Sequence, residues 1–243
     1  VGGLVGEGDR SLIENSYVYN LRFNVNNLKI TRIGGIIGYD GYGLEIKNTY
    51  TQGEIKSNTN IIGGVIGLIN GSRIYNNYSN VNIDTTGEYL GGIAGYYSGG
   101  NKPELKNNLV LGNIYTNLET KNIDGICGDN SANVTLENNY VYEKQKINGY
   151  YIEDNDLALT FEDLKNKETY FNKLKWTEEF YLEDITKGIL PKLYNTDNEI
   201  LLPNQEDMII PTNSEIELRN VTATKDTINS AKIRVELINK NNI

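Results

Sequence analysis

Gly34-Gly35-Ile36-Ile37-Gly38, followed by Ile46-Lys47-Asn48-Thr49-Tyr50-Thr51, is the stretch on which the reading of this chain turns, because it recurs. The glycine-rich half returns at 2–6, 34–38, 63–67, 91–95 and, with Asp124 in place of the first glycine, at 124–128. The second half returns at 13–17, 46–50, 74–78, 105–109 and 136–140. Successive cassettes start 32, 29, 28 and 33 residues apart. A period of that size, with little helical signal inside it, marks a solenoid of stacked units.

Within the second unit the pattern is three extended segments, 35–39, 44–51 and 53–57, separated by Asp40-Gly41-Tyr42-Gly43 and Gln52-Gly53. Three strands without a crossover helix describe one coil of a parallel β-helix. The expected fold is therefore all-β: a right-handed parallel β-helix of about five coils stacked roughly 4.8 Å apart.

Stacking then predicts columns. Leu4/Val5, Ile36/Ile37, Val65/Ile66, Ile93/Ala94 and Ile126/Cys127 align, with one of each pair expected in the core. Asn15, Asn48, Asn76, Asn107 and Asn138 form an amide ladder. Tyr17, Tyr50, Tyr78, Leu109 and Tyr140 form an aromatic column suited to offset ring stacking. Strict alternation places Ile13, Asn15 and Tyr17 on one face, whereas a bend at the asparagine shifts that parity; the sequence allows both. The units are interrupted at 24–32 and at 98–104, expected surface loops where function is usually added.

The domain organisation read from the sequence is a repeat β-helix over 1–156, a helical or irregular cap over 157–203, and a β-hairpin over 204–243. Thr160 with Asp163 is a capping-box start, and Leu164, Phe171 and Leu174 give a helical spacing through Trp176. A short piece over 178–184 leads to Gly188-Ile189-Leu190-Pro191-Lys192-Leu193. An open solenoid end exposes core and strand edges, so a cap over that end is expected. The runs 214–224 and 231–238, joined by 225–230, read as a hairpin. Two strands alone are marginal in water, so this hairpin is expected to begin a further β domain. The chain starts without Met, inside a cassette, as expected of a piece of something longer.

Net charge is −9 over 243 residues, which disfavours nucleic acid and anionic membrane surfaces as partners. No apolar run reaches membrane-spanning length. The chain holds no histidine and a single cysteine. It therefore lacks an imidazole base for a serine or cysteine nucleophile, the usual zinc ligand sets and an internal disulfide framework. No catalytic, cofactor or metal residue is expected.

Cys127 replaces Val, Ile and Ala within its column and reads as a small core hydrophobe. Asp9, Asp40 and Asp129, with Asn70 and Ser98 at similar points, could align carboxylates for a cation or for acid–base work on a polysaccharide. Such residues more commonly build turns. Glu153, Asp154 and Asp156 lack the glycine and distal Glu of a calcium loop and read as a solvated loop. Asn-x-Ser/Thr sequences at Asn70, Asn77, Asn133 and Asn220 carry little weight in so Asn-rich a chain. Tyr39, Tyr42, Tyr96 and Tyr97, near turns, are the candidates for exposed partner contact, together with Asn101 and Lys102 of the second insertion.

The Gly-Gly-Leu-Val-Gly cassette followed by Ile-x-Asn-Ser-Tyr-Val resembles the GLUG repeat of bacterial surface proteins. The segment from Leu159-Thr160 through Trp176 to 188–193 is similar to the region directly after these repeats in the N-terminal part of immunoglobulin A1 proteases and related Zmp zinc metalloproteases. The resemblance implies a secreted protein of the bacterial cell surface and cell wall. Its catalytic His-Glu-x-x-His signature has no counterpart in a chain without histidine, so no catalytic residue carries over. The implied role is a non-catalytic solenoid that positions or helps bind a host glycoprotein such as immunoglobulin A1 and contacts other domains of its parent. An adhesin or glycan-binding module and a polysaccharide-acting β-helix enzyme are the alternatives.

Overall fold

The computed structural model describes residues 1–26, 29, 31–117, 122–128, 133–151, 157–177, 179–194 and 196–203, and the strands 216–227 and 230–239. By contacts the chain divides into Val1–Leu202 and Pro203–Ile243. The first unit is a parallel β-solenoid.

Each coil passes through four parallel sheets. Sheet 1 holds Val5–Gly8, Ile37–Asp40, Ile66–Ile69 and Ala94–Tyr97. Sheet 2 holds Leu12–Glu14, Glu45–Lys47, Arg73–Tyr75, Glu104–Lys106 and Thr135–Glu137. Sheet 3 is built on Tyr17–Val25, Tyr50–Ser57 and Tyr78–Thr85, and continues through Leu109–Val110 with Ile114–Thr116 and Tyr140–Tyr142 with Lys146–Ile147. Sheet 4 holds Arg32–Gly34, Ile61–Gly63, Tyr89–Gly91 and Ile123–Asp124. Ile13, Ile46, Ile74, Leu105 and Leu136 are in register across sheet 2, so five rungs are joined by four turns.

The coil has four strands where the sequence suggests three, and two local causes account for the difference. Gly53 leaves Tyr50–Ser57 unbroken, while the chain bends at Asn48, which adopts φ +52°. Asn15, Asn76, Asn107 and Asn138 share that left-handed conformation, with φ between +47° and +59°. Asparagine tolerates it better than other residues with a Cβ, because its short amide bonds locally. The bend settles the parity: Ile46 points into the rod, and Tyr50 points out of it.

The second cause is the Gly-Gly corner. A Cβ on Gly34 would lie 2.0 Å from the Ile37 carbonyl oxygen, and one on Gly35 would lie 2.1 Å from the Gly64 oxygen and 2.9 Å from Thr51 Cγ2. Only glycine lets the chain turn this tightly under the next coil. Past the corner, the amides of Ile36 and Ile37 both donate to the Val65 carbonyl, at 2.8 and 3.1 Å. Val65/Ile66 repeat this on Ile93, and Ile93/Ala94 on Ile126. This bulge-like pairing turns two successive side chains inward. Both members of each aliphatic pair are therefore buried from the second coil onward, where strand alternation alone predicts one.

Cys127 is fully buried in that core and bridges Ala94 in parallel. Replacing it by Ala removes little volume, so Cys127→Ala should lower the thermal midpoint by only a few degrees, about 1 kcal/mol or less. A calorimetric scan checks this.

From the second coil onward the asparagine column forms the expected ladder, with Asn76 Nδ2 to Asn48 Oδ1 at 3.2 Å, Asn107 to Asn76 at 3.0 Å and Asn138 to Asn107 at 3.1 Å. Beside it runs a second, buried ladder not foreseen from the sequence. Asn77 Nδ2 donates to Asn108 Oδ1 at 3.0 Å and Asn108 Nδ2 to Asn139 Oδ1 at 2.9 Å. Asn77, Asn108 and Asn139 Oδ1 also accept the backbone N–H of Thr49, Asn77 and Asn108, respectively. Pairing of this kind offsets the cost of burying the amides.

The tyrosine column stacks Tyr17 on Tyr50 at 5.0 Å and Tyr50 on Tyr78 at 4.9 Å, with interplanar angles of 12° and 2°. Its outer face is covered by the segment after the repeat. Ala158–Leu159 adds one parallel strand beside Val141 and Tyr142. The chain then packs sideways against the rod, instead of closing only its end as expected. Trp176 lies 6.2 Å from Tyr78 and 4.5 Å from Phe180, and its Nε1 donates to the Asn107 carbonyl at 2.7 Å. Tyr78 Oη donates to the Pro191 carbonyl at 2.7 Å, and burial pushes that phenol well above its ordinary pKa. The outward Tyr and Leu column, apolar and long, is what drives this lateral docking.

The capping box at Thr160 is present and starts the helix Phe161–Leu164. Burial would raise the Asp163 carboxyl, but the Thr160 amide and hydroxyl and Lys173, at 3.0 Å, outweigh it and hold it below the usual range. The helical spacing continues only as a π-helical turn, Thr169–Lys173. There Tyr170 is buried and Phe171 exposed, so Phe171 does not join the apolar face. The second unit is an antiparallel hairpin of Ile216–Thr227 and Ser230–Asn239, longer than the runs read from the sequence.

Candidate functional site

The repeat residues are engaged in the stack, so partner contact falls to what projects from it. The second insertion does project: Ser98, Gly99, Gly100, Asn101 and Lys102 are exposed except where the loop folds on itself. Asn101 Nδ2 donates to the Tyr42 hydroxyl at 2.7 Å, tying the loop to the turn two coils earlier. Tyr42 is 43% exposed, with the Arg10 guanidinium 5.1 Å from its ring centre. Tyr39 and Tyr96 share one outward row of sheet 1 with Glu7 and Leu68. Arg32 sits 4.4 Å over the Tyr39 ring, and Tyr89 meets Tyr96 edge-on at 4.6 Å. Tyr39, Arg32 and Glu7 line a hollow of about 460 Å³.

Tyr97 differs from its expected place. It is only 7% exposed and packs in the core, because its register position is the inward one held by Ile69 a coil earlier. Its hydroxyl donates to the Gly100 carbonyl at 3.0 Å, so it shapes the insertion from beneath. The structure thus brings Tyr42 and Asn101 into contact, sets Tyr39 and Tyr96 in one row, and removes Tyr97 from the surface.

The aspartates do not align. Asp40 pairs in register with Gly8, one position before Asp9, and faces inward. It is fully buried, accepting from Leu44 N and Asn70 N at 3.2 Å each and from the Ser72 hydroxyl. Asp40 therefore brackets successive turns, and Asp9 is exposed beside Ser11. Among the described residues no group of three or more acidic or thiol side chains could hold a metal ion. Asp129, Glu153, Asp154 and Asp156 lie outside the described residues, as do 27, 28 and 30 of the first insertion and Glu178.

The outer face of sheet 2 is a self-neutralising charge lattice. Lys47 meets Glu14 at 3.2 Å, Arg73 meets Glu45 at 3.0 Å, and Lys106 meets Glu104 and Glu137 at 3.3 Å. Such exposed pairs contribute little to stability. Their lasting effect is to leave no single-sign field on that face.

Sequence reading overlooked a concave surface on the far half of sheet 3. Asn24, Lys56, Asp84 and Tyr115 lie in one transverse register row. With Asn58 and Asn117 they line a cleft of about 450 Å³. The available signal was the alternation Val81-Asn82-Ile83-Asp84, which sends Ile83 inward and Asp84 outward.

No family model, curated protein or solved structure matches this chain. Among the described residues no helix is long and apolar enough to cross a membrane.

Proposed function

We propose that this chain is a non-catalytic solenoid module of a large secreted bacterial surface metalloprotease, positioning or helping to bind a host glycoprotein such as immunoglobulin A1. The observation that supports it best is where the polar repeat residues go. Both asparagine ladders and Asp40 are hydrogen-bonded between coils, which is the chemistry of a stiff spacer. The Tyr42–Asn101 surface and the cleft of sheet 3 are where side chains project from that frame for contact. The test is incubation of the pure protein with immunoglobulin A1, with and without a chelator, alongside a surface-binding measurement. Binding without cleavage is the expected result. Chelator-sensitive cleavage, or neither binding nor cleavage, would count against the reading.

A glycan-binding adhesin is the second reading, favoured by the Asn101–Tyr42 bond that orders the insertion into a platform. Loss of cell or glycoprotein adhesion in Tyr42→Ala, with the melt unchanged, would select it.

A further inference from the structure

We propose that the cleft on the outer face of sheet 3 is a binding site for a neutral oligosaccharide, with the Tyr115 ring as its stacking platform. This inference is independent of whether the parent protein is a protease.

Tyr115 is 55% exposed. Tyr39 and Tyr42 have a cation against the ring and Tyr96 a second ring, whereas among the described residues Tyr115 has neither. A free aromatic face beside amides is the arrangement that meets the C–H face of a sugar and its hydroxyls together. The rest of the lining supplies those polar groups: Asn24, Asn58 and Asn117 can each donate and accept, and Asp84 can accept from two hydroxyls. The Asn58 amide oxygen is buried with no hydrogen-bond partner among the described residues. Asn58 lines the cleft, and an unmet buried polar group in a cleft wall calls for a ligand or water.

Charge selects among ligands. Lys56 is held by Glu54 at 2.8 Å, and Asp84 stands one rung further along. The cleft therefore has no excess cation to attract a sulfated or phosphorylated chain, and the protein as a whole carries −9. Among the described residues that line it none is aliphatic, whereas a peptide side chain is anchored in an apolar pocket.

The experiment is a titration of isotope-labelled protein, followed by amide resonances, with two neutral probes, tetra-N-acetylchitotetraose and lacto-N-tetraose, and with a heparin tetrasaccharide. Expected are saturable shifts at 54–58, 82–86 and 113–117 with at least one neutral probe. Tyr115→Ala should weaken binding by about tenfold, and Tyr115→Phe by less than about twofold, since the ring supplies the contact. Tyr115 is exposed, so both variants should melt like the parent. The proposal is overturned by no shift in these strands at millimolar probe. It is equally overturned by shifts with heparin alone, by shifts confined to the Tyr42–Asn101 surface, or by undiminished affinity in Tyr115→Ala.

Discussion

Ile37→Asp should unfold at least the second coil and its neighbours, with a loss exceeding about 4 kcal/mol, the range reserved for a buried, unpaired charge. Ile37 is fully buried, in register between Val5 and Ile66, and has Leu44, Ile46 and Ile74 in the same core cluster. None of these can neutralise a carboxylate. Because a solenoid is held by nearest-neighbour contacts, the damage should spread along the rod from that rung. The control is Ile37→Val, which keeps an apolar side chain there and should cost about 0.5–1.5 kcal/mol. Urea unfolding of both variants, followed by far-UV circular dichroism, decides the matter. An Ile37→Asp midpoint equal to the parent's would refute a core made of these columns.

Trp176→Ala should release the lateral segment from the rod while leaving the coils folded. Trp176 is 3% exposed, contacts Tyr78, Tyr170 and Phe180, and bonds the Asn107 carbonyl. Truncating a buried Trp costs about 3–5 kcal/mol. Trp176 is the residue that joins the segment's own aromatics, Tyr170 and Phe180, to the rod by both ring contact and hydrogen bond, with Tyr78 Oη on Pro191 and the Phe180–Tyr78 contact as further links. Hydrogen exchange should rise over 160–193 and stay slow in the strands of sheets 1 and 2. Equal protection of 160–193 in parent and variant would mean that the indole is not the anchor.

Much of this was legible in the residues. The cassette period, the Gly-Gly corner, the outer asparagine ladder, the tyrosine stack, the core place of Cys127 and the capping box at Thr160 all arise from local chemistry repeated at a fixed interval. Partner contact was less legible. Tyr97 looks like Tyr96 in the sequence, yet one register step separates a core position from a surface one. Asp40 and Asp9 look like column mates, yet they are offset by one residue, so one is buried and the other exposed.

By itself, then, the sequence determined that like residues stack on like in a parallel β-solenoid, because a repeated pattern can bury its apolar face only against copies of itself. Tertiary structure decided which way each column faces. The left-handed bend at Asn48 and its equivalents sends the tyrosines outward, and the shared carbonyl after the glycine corner turns both aliphatics inward. The long-range docking of Trp176 and Pro191 on Tyr78 and Asn107 then covers one half of sheet 3, while in the other half Tyr115 stays exposed among the described residues. No local pattern encodes that choice, because it depends on residues about seventy to over a hundred positions apart meeting on one face.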